Sequence, residues 1–173
     1  HFFFGAPSCV PATPFETSGA TLDAAHVAEL LAMDEVRYLS EMMNFPGVLH
    51  EDEEVMRKLA AAHALGKPID GHAPGLRGED VRRYAAAGIT TDHECFDIGE
   101  ARDKVSAGMK VLIREGSAAR NFDTLVPLLG ESPDMVMFCS DDKHPDDLVA
   151  GHMNVLVRRA VQARYNILDA LRA

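Results

Sequence analysis

The chain has 173 residues, 47% of them hydrophobic and 25% charged, a globular balance with enough apolar side chains for a core. Its formal net charge of −10 argues against a nucleic-acid backbone as partner, because no basic patch is present to neutralise phosphates. Cys9, Cys95 and Cys139 are odd in number and show no CxxC pairing, which argues against a disulfide framework and for a reducing, cytoplasmic setting. No apolar run approaches the roughly 18–20 residues of a membrane span, and no basic region precedes His1-Phe2-Phe3-Phe4 to suggest a signal peptide.

In chain order, Phe2 to Phe4 reads as a buried-type strand already under way, with Pro7, Pro11 and Pro14 keeping the next loop extended. Asp23 caps a helix reaching about Met33, with Leu22, Ala25, Leu30 and Leu31 on its apolar face. Val36 to Ser40 is the next strand, and Glu41 directly ends it. Acids from Glu51 to Glu54 favour a helix start through the dipole, and Gly66 stops that helix after Val55, Leu59 and Leu65. Ile69 is a strand core; Val81, Tyr84 and Ala85 mark a helix closed by Gly88; Ile89 to Asp92 is a further strand. Asp97 with Glu100 makes a capping-box-like start to a helix ending near Gly108. Met109 to Ile113 is a strand, and Phe122, Leu125 and Leu128 lie on the helix after it. Met135 to Cys139 is the last strand, and one final helix runs from about Asp147 to Arg164, with Val155, Leu156 and Ala160 inward.

These are six strand-then-helix units without a linker, which predicts a parallel sheet with right-handed crossovers. Six units are two short of a (βα)8 barrel, so the expected architecture is α/β, a partial TIM barrel forming one domain over residues 1–173. A flavodoxin-like or Rossmann sheet is the rival, but no G-x-G-x-x-G follows any strand. The start inside an apolar run and the end inside amphipathic Ile167 to Leu171 suggest an internal piece of a longer polypeptide lacking the first barrel strands. An open barrel leaves two sheet edges and uncovered apolar faces. The isolated chain is therefore expected to associate, as a homo-oligomer, or to be aggregation-prone, with negligible activity.

Chemistry is expected where strands end. His72 and His93 close two consecutive strand-like segments, and in a parallel βαβ unit both arrive at the carboxyl edge of the sheet. Neutral imidazole is the commonest metal ligand, so two of them there make half a metal site. Glu41 and Asp141 end strands in the same way and are placed to bind a cation; Asp142 could instead cap, orient or protonate. Asp146 and Asp147 read as acids at a helix N-terminus. His26, His50, His63 and His152 lie on helix faces or beside helix starts and are assigned no chemistry.

The motifs Ser40-Glu41-Met42-Met43-Asn44-Phe45-Pro46-Gly47-Val48, Asp70-Gly71-His72-Ala73-Pro74-Gly75, Asp92-His93-Glu94 and Cys139-Ser140-Asp141-Asp142-Lys143-His144-Pro145 occur in this order. Together with Pro7 to Thr13 and Ile113 to Ala119, they resemble the bacterial adenine deaminases of the amidohydrolase superfamily over nearly the whole chain. The resemblance implies a binuclear divalent metal centre, manganese or iron with zinc as a further option, inside a (βα)8 barrel. It implies that Glu41 bridges the metals, that His72 and His93 bind one of them, and that Asp141 binds the other and takes a proton from the attacking water. Glu94, Glu115 and Asp142 remain alternative proton donors to the ring. The family's His-x-His pair and its small flanking β domain are absent from this sequence. The implied reaction is hydrolysis of adenine to hypoxanthine and ammonia in purine salvage, with adenine the small-molecule partner and neither nucleic acid nor membrane involved. Two other readings stand beside it. One is an amidohydrolase acting on a cyclic amide or another amine-bearing heterocycle, since substrate choice lives in loops rather than ligands; the other is an inactive structural fragment of such an enzyme.

Overall fold

The computed structural model describes residues 1–13 and 15–173, so Pro14, one of the prolines expected to extend the first loop, lies outside the described residues. The backbone divides into two compact units, His1–Asp92 and His93–Ala173.

In the first unit, β1 (Phe4–Ala6), β2 (Val36–Met42) and β3 (Ile69–Gly71) form a parallel sheet in that order. Ile89 extends the parallel pairing through a bridge to Ile69, ahead of the short β4 (Thr91–Asp92). Parallel neighbours need a crossover, and here each crossover is helical. Helix α1 (Ala24–Leu31) leads into β2; α2 (Phe45–Leu49) and α3 (Glu53–Ala64) lead into β3; α4 (Gly78–Ala86) leads into β4. Side-chain oxygens start three of them: Asp23 accepts from the His26 N–H, Asn44 from Gly47 and Asp52 from Val55. Leu39 and Ile69 of the sheet and Val27, Leu31, Leu59 and Tyr84 of the helices are buried, which gives the unit its apolar centre.

In the second unit, β5 (Lys110–Arg114) and β6 (Val136–Cys139) pair in parallel, from Val111 opposite Val136 to Arg114 opposite Cys139. Helix α5 (Ile98–Ser106) precedes β5, with Asp97 as its cap. Between the strands run α6 (Phe122–Leu125), α7 (Leu128–Glu131) and a short 3-10 turn at Pro133–Met135. After β6 come α8 (Pro145–Ala150), α9 (Met153–Gln162) and α10 (Ile167–Arg172). Val111, Ile113, Leu125, Leu129, Leu156 and Ala160 sit in its core. The chain is thus an α/β protein with parallel strand pairing in each unit. Among the described residues no helix is long and apolar enough to cross a membrane.

Several expected elements are displaced. The first strand is Phe4–Ala6 rather than Phe2 to Phe4, and Phe2, Phe3 and Phe4 are exposed while Ala6 is the buried residue. Three consecutive phenylalanines signal burial only if some surface covers them, and pairing with β2 begins at Phe4. On α1 the buried face is Ala24, Val27 and Leu31, whereas Ala25 is exposed. The expected helix from Asp147 to Arg164 is two helices that part at Gly151, whose φ of 151° suits glycine. The helix expected after β5 is likewise broken, at Pro127 between α6 and α7. Glu100 completes only part of a capping box: its Oε2 accepts from the Phe96 N–H at 2.9 Å, while Asp97 caps Gly99 and Glu100.

Candidate functional site

Glu41 is the penultimate residue of β2 and His72 the first residue after β3. Because Met42 pairs with Gly71 in the parallel register, both side chains stand at the carboxyl edge of this sheet. His72 Nδ1 lies 3.0 Å from Glu41 Oε2, with both side chains partly open to solvent.

The backbone beneath this pair is held from several sides. The Tyr84 hydroxyl donates to the Met42 carbonyl at 2.7 Å and accepts the His72 N–H at 3.1 Å, joining the ends of β2 and β3 through a residue of α4. Tyr84 is wholly buried, and burial pushes its phenol pKa up, so the hydroxyl keeps the proton it donates. Gly71 allows the close approach of neighbouring backbone: a Cβ there would collide with the Thr91 carbonyl. The Ser8 hydroxyl donates to the Glu41 carbonyl at 2.5 Å, tying the loop after β1 to the same edge.

In the second unit His93, Glu94 and Asp141 come together, with one ligand-capable atom of each within 4.8 Å of the others. His93 Nε2 is 3.4 Å from Glu94 Oε1 and 3.8 Å from Asp141 Oδ2. Arg114, the last residue of β5, sits among them. Its NH1 donates to Glu94 Oε1 and to Asp141 Oδ2, and its NH2 donates to Glu94 Oε2 at 2.9 Å. Asn121 fixes the backbone of that arginine, accepting the Arg114 N–H at 2.7 Å and donating its own N–H to the Arg114 carbonyl at 3.0 Å.

Asp141 takes a left-handed backbone (φ 49°), which aspartate tolerates because its short side chain bonds locally. Its Oδ1 accepts the Asp142 N–H at 2.7 Å. Partial burial pushes the Asp141 pKa up, but the Arg114 guanidinium, the Asp142 N–H and the nearby His93 together hold it below the usual carboxylate value. The same carboxylates hold the Arg114 pKa above its ordinary value against the opposing effect of burial.

The other expected residues fall elsewhere. Asp142 is exposed, and its carbonyl accepts the Ser117 N–H at 2.8 Å. Glu115 pairs with Arg159 at 2.8 Å. Asp146 and Asp147 occupy the first turn of α8, and the Ser117 hydroxyl, by donating to Asp147, lowers that carboxyl's pKa. Sequence reasoning missed Arg114 and Tyr84. Arg114 carries the same signal that marked Glu41, a charged residue closing an apolar strand. Tyr84 carries none, since its partners lie 12 and 42 residues away.

A metal ion can be tested against these donors. Adjacent ligands of one octahedral cation, with bonds of about 2.1 Å, lie about 3.0 Å apart. The Glu41–His72 separation of 3.0 Å matches, and it equally suits a hydrogen bond between them. Imidazole with carboxylates is a donor set suited to manganese, iron or zinc. Glu41 and His72 fit such an ion.

No family model matches the chain. Among curated proteins, it is 62% identical over 173 residues, all of this chain, to an adenine deaminase of Salinibacter ruber, and covers 32% of that protein. It is 60% identical to an adenine deaminase of Methanosarcina mazei over 98% of this chain and 31% of the relative. A Sulfurovum adenine deaminase is 55% identical over 99% of the chain and 32% of its own length. The chain therefore spans about a third of the length of the curated relatives it matches.

Proposed function

From homology along the whole chain to about a third of an adenine deaminase, we propose that this is a catalytic segment of a metal-dependent hydrolase that converts adenine and water to hypoxanthine and ammonia. The single observation that carries the reading is the 62% identity over every residue of the chain. In this reading the two parallel-paired units are parts of a (βα)8 barrel, the fold that sets its chemistry at the carboxyl ends of its strands.

Glu41, His72, His93 and Asp141 would be this chain's metal ligands, with Glu41 as the bridging carboxylate, His72 and His93 on one ion and Asp141 on the other. A divalent metal bound by such donors lowers the pKa of its water toward about 7, which makes hydroxide available at neutral pH. The remaining work falls to the protein. Asp141, whose carboxylate is held ionised by Arg114, accepts the proton of the water that adds to C6 of the ring. The adjacent ring nitrogen gains a proton as C6 becomes tetrahedral; the bond from C6 to the exocyclic nitrogen then breaks, and ammonia leaves with a proton. Glu94, Glu115 and Asp142 are the candidate donors on this chain. Of these, Glu94 lies beside Asp141 and shares its arginine.

The test is ammonia release from adenine by the full-length protein supplied with Mn2+ or Fe2+, with hypoxanthine identified as the second product. Turnover of other amine-bearing heterocycles, with adenine untouched, would transfer the reading to the wider amidohydrolase class.

A further inference from the structure

His93, Glu94 and Asp141 form a cluster of acceptors that could hold a cation on its own, yet a cation made of protein already stands in it. Arg114 spends its whole terminal fork there: NH1 and NH2 meet the two oxygens of Glu94, and NH1 also reaches Asp141. The two carboxylates are not treated alike. Glu94 has both oxygens on the guanidinium and a side chain only 11% exposed. Asp141 has one oxygen on it, the other on a backbone N–H, and a side chain 26% exposed.

We propose that Arg114 is a positioning residue that keeps Glu94 out of the metal coordination sphere and leaves Asp141 to face the ion. A bidentate arginine–carboxylate pair is directional and strong, so an ion competing for Glu94 would have to break two charge-assisted hydrogen bonds. Asp141 gives up only one such bond and keeps the orientation set by the Asp142 N–H. The arginine cannot easily withdraw, because Asn121 brackets its backbone and its side chain is 11% exposed. Among the described residues its Nε has no hydrogen-bond partner, and the terminal nitrogens carry the head group's contacts. Glu94 is thereby reserved for a role beside the ion rather than on it.

This inference rests on the reading of His93 and Asp141 as ligands, and the experiment separates the two. Mn2+ binding to the full chain is titrated by the resonance of free Mn2+, which needs no turnover. E94Q should keep wild-type Mn2+ stoichiometry and affinity within about threefold, whereas D141N should lose an ion. R114Q should bind Mn2+ about tenfold or more tightly than wild type, since one positive charge has left the cluster, and adding E94Q to R114Q should abolish that gain. Loss of metal in E94Q comparable to that in D141N overturns the proposal, as does an R114Q affinity no tighter than wild type. Should R114Q fail to fold, the E94Q titration still decides. Unchanged metal content in D141N would sink the ligand reading and with it the Asp141 half of the proposal, while E94Q and R114Q still decide whether Arg114 withholds Glu94.

Discussion

The hydroxyl of Tyr84 joins two strand ends that the sequence places 30 residues apart, and its value can be measured apart from any chemistry. It donates to the Met42 carbonyl and accepts the His72 N–H, and both Tyr84 and Met42 are fully buried. Tyr84→Phe keeps the ring and removes only the oxygen. A buried carbonyl then loses its donor, which costs about 1–3 kcal/mol. Denaturant unfolding should show that loss at the midpoint with an unchanged slope. A change under about 0.5 kcal/mol would mean that other groups or water already serve Met42 and His72. The same residue shows where sequence reading stops. The positions of Glu41, His72 and Asp141 were legible because a polar residue closing an apolar strand is a local pattern; they stand inside the end of β2, directly after β3 and two residues after β6. Arg114 carries that same pattern at the end of β5 and could have been read the same way, whereas Tyr84 acts through partners 12 and 42 residues away that no spacing rule announces.

At the scale of elements, helix starts were legible and helix interiors less so. Asp23 and Asp97 were read as caps, and both accept backbone N–H groups in the structure, because a cap needs only a side-chain oxygen within three residues. The breaks at Pro127 and Gly151 were missed, since apolar spacing continued across each of them. Helix α5 carries a further feature that no pattern revealed. Lys104 and Glu100 form an i, i+4 ion pair at 2.8 Å with side chains 0% and 1% exposed. On spacing alone the pair reads as a solvated stabiliser worth a few tenths of a kcal/mol. Buried, it behaves differently: removing Lys104 takes a counter-charge 2.8 Å away from a carboxylate that has almost no access to water. Lys104→Ala is therefore expected to cost about 3–5 kcal/mol, whereas replacing both residues with apolar ones of similar volume should recover most of it. Thermal unfolding of the single and double variants checks this, and equal destabilisation in both would show that packing rather than charge dominates.

For the whole molecule the alternation of strands and helices was legible as α/β with parallel pairing, because apolar strands separated by helical spacing leave few other topologies. The edge positions were not, since Phe2 and Phe3 look identical to core residues until their surroundings are known. If Glu41 and His72 bind a divalent ion in the folded chain only, that ion stabilises the fold by mass action. At a free concentration about a hundred times the dissociation constant the gain is about 2.7 kcal/mol. For a chain of this length, that corresponds to a rise in melting temperature of roughly 5–10 °C. Mn2+ should produce the rise and a chelator should reverse it. Glu41→Gln, which keeps the size of the side chain and removes its charge, should shrink the rise by at least half while leaving the metal-free melting temperature within about 2 °C, as expected for a partly exposed pair. Calorimetric scans with and without Mn2+ decide the matter. An equal Mn2+ shift in wild type and Glu41→Gln would place the stabilising ion away from β2 and leave the Glu41–His72 contact as a hydrogen bond alone.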